Sequence, residues 1–189
     1  MRDFMRTYAK RLAGRPVPQN DPSGALVTFE KGDDTRELRR AMGQFATGVT
    51  VVTAMSGDTP VGVTANSFTS VSLEPPLVLF CLGKSLGCVE AFETTEHFVI
   101  NLLRSDQQAI SNRFATKGID RFQGTPWCLS QDNVPVIEGA LASIECSKNA
   151  QFDGGDHTIF IGKVKRAQYV PGHDPLLYFG GDYRQINQA

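Results

Sequence analysis

Two runs rich in β-branched and apolar residues, 140–150 and 157–169, stand on either side of Asp153-Gly154-Gly155-Asp156. Glycine tolerates the positive φ of tight hairpin turns, so this spacing predicts two long antiparallel strands joined by a short turn. A second hairpin is predicted where Val49-Thr50-Val51-Val52-Thr53-Ala54-Met55 turns at Ser56-Gly57-Asp58 into a segment beginning at Pro60. Leu77-Val78-Leu79-Phe80-Cys81-Leu82 is unbroken in apolar residues and reads as a strand buried on both faces. Residues 97–103 and 176–179 add two more strands. Such a series, with mostly hairpin-length connections, predicts a mainly β fold: an antiparallel split β-barrel and not a doubly wound sheet.

Helices are few and short in this reading. One opens at Asp34 under an acidic cap, carries Leu38, Ala41, Met42 and Phe45 as an apolar stripe and stops at Gly48. Another holds Val89 and Phe92 and ends near Thr94; a third spans 106–115 with Ile110 and Phe114 inward. Residues 117–134, with Gly118, Gly124, Pro126 and the lone Trp127, read as loop. Ahead of the domain, Phe4, Tyr8 and Leu12 recur at helical spacing among Arg2, Arg6, Lys10, Arg11 and Arg15, and 14–33 is rich in Pro, Gly, Asp and Asn. The division expected is a 1–33 N-terminal extension, a short amphipathic helix plus linker, before a single domain at 34–189.

A chain of 189 residues buries a core without staples. Cys81, Cys88, Cys128 and Cys146 form no Cys-x-x-Cys pair and are expected as reduced thiols, which together with the lack of a secretory signal predicts a cytoplasmic protein. Lysine plus arginine number 19 against 20 acids, so charge gives no reason to expect nucleic acid. No apolar run approaches the roughly 20 residues of a membrane helix.

Residues 60–76, PVGVTANSFTSVSLEPP, are the least ordinary part of the chain. Read as one strand, they place Thr64, Asn66, Ser70 and Ser72 on one face and Ser67 and Thr69 on the other, so neither face is a plain core face. Polar groups that lead straight into an apolar strand predict a ligand at the strand's end.

Other candidates are weaker alone. His157 follows the Gly-Gly-Asp turn, where a hairpin holds its ring beside a neighbouring cleft. Arg113, near a helix end, can clamp a phosphate, and Lys84-Ser85 can do so where an apolar strand leads into a helix. Asp120-Arg121 reads as a local charge pair, and His97 as structural. The three histidines lie far apart, so no metal is expected. The P-loop, the nucleophile elbow and the dinucleotide fingerprint are all absent, so a nucleotide cofactor would bind without a Rossmann turn.

Taken in order, Phe45-Ala46-Thr47-Gly48-Val49-Thr50-Val51-Val52-Thr53, the stretch from Thr64 to Leu73 with Pro75-Pro76, Ser111 to Ala115, Gly155-Asp156-His157 and Pro175-Leu176-Leu177-Tyr178-Phe179 resemble the short-chain flavin reductases. These are the reductase components of two-component flavin-dependent monooxygenases. The resemblance covers about residues 34 to 186. It implies a homodimeric FMN-binding split barrel that takes hydride from NADH or NADPH onto FMN or FAD and releases reduced flavin, by diffusion, to a partner monooxygenase.

By the same resemblance Thr64, Asn66, Ser67, Ser70, Val71 and Ser72 contact the flavin ring. Cys81, Leu82, Gly83 and Lys84 run beside the ribityl chain, and Arg113 and Phe114 lie near the phosphate. His157 corresponds to the nicotinamide position, with Tyr183 assisting. Hydride transfer needs no protein acid or base, so no catalytic side chain is expected and rate comes from positioning. Where many members carry Ser or Thr a few residues past Lys84, this chain has Cys88, which leaves FMN and FAD both open. Two other readings share the barrel: a flavin carrier without turnover, and an enzyme like pyridoxamine-phosphate oxidase. The second would need more basic phosphate ligands than Lys84 and Arg113.

Overall fold

The computed structural model describes residues 29–186. The amphipathic helix expected near the N-terminus lies outside the described residues. The chain divides into two compact units, Met1–Ala41 and Met42–Ala189. The described part of the first carries most of α1 (Thr35–Met42), which starts at Asp34, whose carboxylate accepts from the Arg36 amide at 2.9 Å. This helix buries none of its residues, and it ends before Phe45, itself 77% exposed. The expected apolar stripe therefore covers no core in this chain.

The second unit is mainly β, with few helices. Its strands are β1 (Thr47–Gly48), β2 (Thr50–Ser56), β3 (Thr59–Ala65), β4 (Thr69–Leu73), β5 (Pro76–Gly83), β6 (His97–Leu102), β7 (Trp127–Leu129), β8 (Pro135–Ile137), β9 (Ala142–Gly154), β10 (His157–Tyr169), β11 (Leu177–Phe179) and β12 (Asp182–Arg184). Its helices are α2 (Val89–Thr94) and α3 (Gln108–Ala115). Seven strands make one antiparallel sheet in the order β3-β2-β6-β9-β10-β5-β4. Edge strands β3 and β4 do not pair with each other, although only Asn66, Ser67 and Phe68 separate them in sequence. The sheet is not closed into a barrel by its ladders.

Both predicted hairpins form. β9 and β10 pair from His157↔Gly154 to Tyr169↔Ala142, around a turn in which Gly155 adopts φ +81°. β2 and β3 pair from Thr50↔Ala65 to Ser56↔Thr59, with Gly57 at φ +57°. The strands buried on both faces are β2, where Thr50 to Ala54 are all buried, and β6, where Phe98 to Asn101 are, and not β5. In β5 only Val78, Phe80 and Leu82 are buried; Leu77, Leu79, Cys81 and Gly83 keep partial exposure. An apolar run specifies burial, but neighbouring layers decide which face receives it.

The two faces of β2 serve two cores. On one, Val52 and Ala54 pack with Phe80, Phe92, Phe98, Ile100 and Phe160. Phe80 stacks on Phe160 with ring centroids 5.1 Å apart and meets Phe98 edge-on at 5.0 Å. Gly162 belongs to this contact, because a Cβ there would come within 2.4 Å of Phe98. On the other face, Val49 and Val51 join Leu103, Phe114, Phe122, Ile137 and Leu176. A buried Asn101 ties this side together: its amide donates to the Val51 carbonyl at 3.0 Å, and its oxygen accepts from the Ile137 amide at 3.0 Å.

Two elements run against expectation. The stretch taken as loop contains β7, which forms a short hairpin with β8. Residues 60–76 are not one strand but β3 and β4, paired to β2 and β5 respectively. The alternation argued across the whole segment breaks at residues 66–68.

Candidate functional site

Ser67 sits where the β4–β5 ladder would continue, opposite Cys81. Its hydroxyl replaces the missing backbone pair, accepting from the Cys81 amide at 2.9 Å and donating to the Cys81 carbonyl at 3.1 Å. The proton of Ser67 is thereby committed to β5, and the group that remains toward a ligand is a lone pair. β4 then runs along the sheet edge with a register shift between Ser70 and Ser72 that leaves Val71 as the bulged residue. Among the described residues, no strand lies on its outer side. Its outward peptide groups, with the hydroxyls of Ser70 and Ser72, form a row of donors and acceptors beside exposed Val71 and Leu73.

Thr64 and α3 form a second group. The Thr64 hydroxyl donates to the Ser111 carbonyl at 2.6 Å. Ser111, fully buried, is 2.8 Å from the Tyr183 hydroxyl, which donates to the Asn112 side-chain oxygen at 3.0 Å. A phenol has one proton, so Ser111 donates to Tyr183 and the tyrosine hydroxyl is fully engaged. Phe114 has no exposed surface and presses on β3 at Gly62, where an added Cβ would lie 2.6 Å from its ring. It can back a ligand site but not touch a ligand. Arg113 donates to the Gln123 carbonyl at 2.8 Å. Asn66 is exposed at the crossing between β3 and β4.

The tips of β5 and the β9–β10 hairpin carry the charged candidates. Leu82 faces the core, so only its backbone is available to a ligand. Gly83 pairs with His157, and the imidazole Nε2 lies 3.8 Å from where a Gly83 Cβ would stand. His157 Nδ1 is 2.7 Å from Asp156 Oδ1. Lys84 is held twice: its amide donates to the Asp156 carbonyl at 2.9 Å and its ammonium to Asp153 at 2.5 Å. Lys84 beside Asp153, with the Gly155 amide on the same carboxylate, holds the Asp153 carboxyl below its ordinary range.

Residues outside the predicted set complete these groups: Ser111 and Asn112 under Tyr183, Asp153 and Asp156 beside Lys84 and His157, and Arg121 at β3. Asp120 and Arg121 do not form the charge pair expected of them. Arg121 donates to the Gly62 carbonyl at 2.6 Å, and Asp120 caps the amides of Phe122 and Gln123. Ser111 was part of a quoted motif, and Asp153 was read only as a turn residue, because its lysine lies 69 residues away.

A cleft of about 570 Å³ lies between β3, the turn at Ser85, Gly87 and Cys88, and the segment with Lys117 and Arg121. It adjoins Lys84 in the chain, while Ser67, at the crossing between β3 and β4, and His157, at the start of β10, lie outside its lining. Among the described residues, no three His, Cys, Asp or Glu side chains gather as a metal set, and no helix is long and apolar enough to cross a membrane. His97 lies elsewhere, 3.9 Å from Asp132. Burial pushes the Cys146 thiol up to about 12, away from any nucleophilic use.

The flavin reductase like domain matches residues 42–187. The chain belongs to this family. It is 45% identical over 157 residues to the FMN reductase (NADH) SmoA of Agrobacterium fabrum, covering 83% of this chain and 89% of that protein. It is 43% identical to HsaB, the reductase subunit of a flavin-dependent monooxygenase of Mycobacterium tuberculosis, over 81% of this chain and 83% of that one. Among solved structures, the NADH:FAD oxidoreductase SgcE6 of Streptomyces globisporus, in complex with NAD and FAD fragments, superposes with a TM-score of 0.81 at 40% identity. That likeness covers 85% of this chain and 98% of the other.

Proposed function

We propose that this protein is an NADH-dependent flavin oxidoreductase, with NADPH as a possible second donor, that reduces FMN or FAD and supplies the reduced flavin to a partner flavin-dependent monooxygenase. The observation that carries the reading is the family match over 42–187 together with the kinship to SmoA and HsaB. The carrier reading, without turnover, has no observation in its favour.

The site proposed is the outer edge of β4 and the end of β5. A flavin ring has a polar pyrimidine edge and an apolar benzenoid edge. The peptide groups and hydroxyls of Ser70 and Ser72, beside the side chain of Val71, suit those two edges. Thr64 and Ser67, bonded into backbone, fix where β3 and β4 stand and so shape the wall, with Asn66 between them. Cys81 and Gly83 are two residues apart on β5, roughly 6.6 Å along the strand. One is held by Ser67 and the other pairs with His157, so a flavin position and a nicotinamide position meet on one strand. When bound, the two cofactors would supply the hydride donor and acceptor, and Ser67, Cys81, Gly83 and His157 would set where each ring lies. The chain's contribution is orientation and exclusion of water, with no acid or base among its own residues. Tyr183, its hydroxyl engaged, contributes ring surface and position.

Lys84 and Arg113 are the residues proposed for the phosphate side. The domain proposed is 34–189 behind an extension at 1–33, soluble and cytoplasmic. Leu73, 92% exposed at the end of the unpaired edge strand, supports a homodimer with a split barrel in which a second copy packs on Leu73 beside the flavin site. The test is direct: purified protein is mixed with NADH or NADPH and free FMN or FAD, and nicotinamide oxidation is followed. Turnover with at least one pair is expected; none with any pair would refute the reading.

A further inference from the structure

The end of β5 is electrostatically closed on itself. Lys84 follows Gly83 one strand step beyond the proposed ring position, where a ribityl chain leaving the ring would bring a phosphate. Its ammonium is already bonded to Asp153 at 2.5 Å. The Asp153 carboxylate is in turn fixed by the Gly155 amide at 3.0 Å, so it stands ready in the turn and does not swing freely. The neighbouring imidazole of His157 has its own carboxylate in Asp156 at 2.7 Å. Lys84 and His157 thus each have a carboxylate beside them, and a phosphate arriving at Lys84 finds its ammonium already engaged by Asp153.

We propose that Asp153 is an affinity-limiting residue of the flavin site: it competes with the flavin phosphate for Lys84 and keeps a phosphorylated flavin exchangeable. The proposal rests on the flavin-reductase reading. Its logic follows from that activity, because a reductase that hands its product to a separate oxygenase needs rapid release, and affinity differences at one site fall mostly in the off-rate. The cost to the phosphate is then that it must draw the ammonium away from an existing partner, on an exposed surface where salt screens both ion pairs.

The test is equilibrium titration of the full-length protein with FMN and with riboflavin, which carries the same ring and no phosphate. Asp153→Asn is expected to tighten FMN by about threefold to fivefold and leave riboflavin unchanged, the range an exposed ion pair supports. Lys84→Met is expected to weaken FMN alone. In the double variant Asp153→Asn is expected to add nothing, because its effect passes through Lys84. Raising the salt concentration should erase the gain. If wild type binds both flavins and Asp153→Asn leaves the ratio of the two affinities unchanged, or tightens both equally, the proposal is wrong while the reductase reading stands. If Lys84→Met leaves FMN untouched, Lys84 is not the phosphate residue and the proposal falls with it. If neither flavin binds and none is reduced, the reductase reading fails first.

Discussion

The wall formed by β3, α3 and the β4 crossing differs in construction from the tip formed by β5 and the β9–β10 hairpin. In the wall, polar side chains bond to backbone or to one another at partly or fully buried positions: Thr64 to Ser111, Ser67 to both polar groups of Cys81, and Ser111 to Tyr183. At the tip, the side chains of Lys84 and His157 meet carboxylates, Asp153 and Asp156, that are mostly exposed. Partly buried hydrogen bonds, once made, are expensive to leave unmade, whereas exposed ion pairs are individually weak and screened. The wall is therefore suited to hold a ring in one place, and the tip to let charged groups come and go. Substitutions in the wall should register as stability, and those at the tip as affinity and salt dependence.

The largest effect is expected at Gly62. A Cβ there would stand 2.6 Å from the Phe114 ring and 3.3 Å from Thr53, and Phe114 is closed in by Phe122, 5.0 Å away centroid to centroid. Gly62→Val should cost about 2–3 kcal/mol by overpacking and also loosen α3 with its Ser111 and Arg113. Chemical denaturation reads the first, and loss of flavin binding the second. A variant as stable as wild type would show that α3 is not wedged against β3. Ser67→Ala comes next, at roughly 1–3 kcal/mol, because it strands the amide and carbonyl of Cys81 together. It should also weaken flavin binding, since the end of β4 is no longer pinned; equal stability and equal affinity would remove Ser67 from the wall. Tyr183→Phe loses the contacts to Ser111 and Asn112 and should cost about 1 kcal/mol, with KM for NADH rising more than kcat falls. A kcat drop at constant KM would instead give the hydroxyl a part in the chemistry.

How far this contrast was legible from sequence depends on distance along the chain. The two hairpins and the three helices follow from local turn chemistry and periodicity; all form, although the first helix ends at Met42, short of Phe45 and the expected stop at Gly48, and β9 runs on to Gly154. β7 and β8 were missed because strands of three residues carry no periodicity to detect. The break between β3 and β4 was missed because residues 66–68 contain neither Gly nor Pro; a sheet edge ends the pairing there, and a sheet edge is a tertiary fact. β5 was taken as doubly buried on an apolar run that β2 in fact merits, since only the packing of β7–β8 and α3 covers the second face of β2. The hydroxyl-rich segment was rightly singled out as unusual, yet the partners of Ser67 and Thr64 lie 14 and 47 positions away. The ion pair at the tip, whose partners meet only because β5 and β10 are neighbours in the sheet, left no trace in sequence at all.

The smallest expected effect belongs to the tip and has a definite sign with pH. Lys84 beside Asp153 lowers the folded-state pKa of that carboxyl below its ordinary 3.8. A group whose folded pKa is depressed contributes stability above its unfolded pKa and loses it as pH falls through the folded value. Wild type should thus exceed Asp153→Asn slightly in Tm at neutral pH, with the gap closing only below the ordinary aspartate value. Asp156 and His157 stand beside the pair in both proteins, so they do not set the sign of the difference. Because the pair is exposed, high salt should close the same gap at neutral pH. A gap that survives both low pH and high salt would mean that Asp153 acts through the turn it forms with Gly155. The tip would then belong, with the wall, to the rigid part of the molecule.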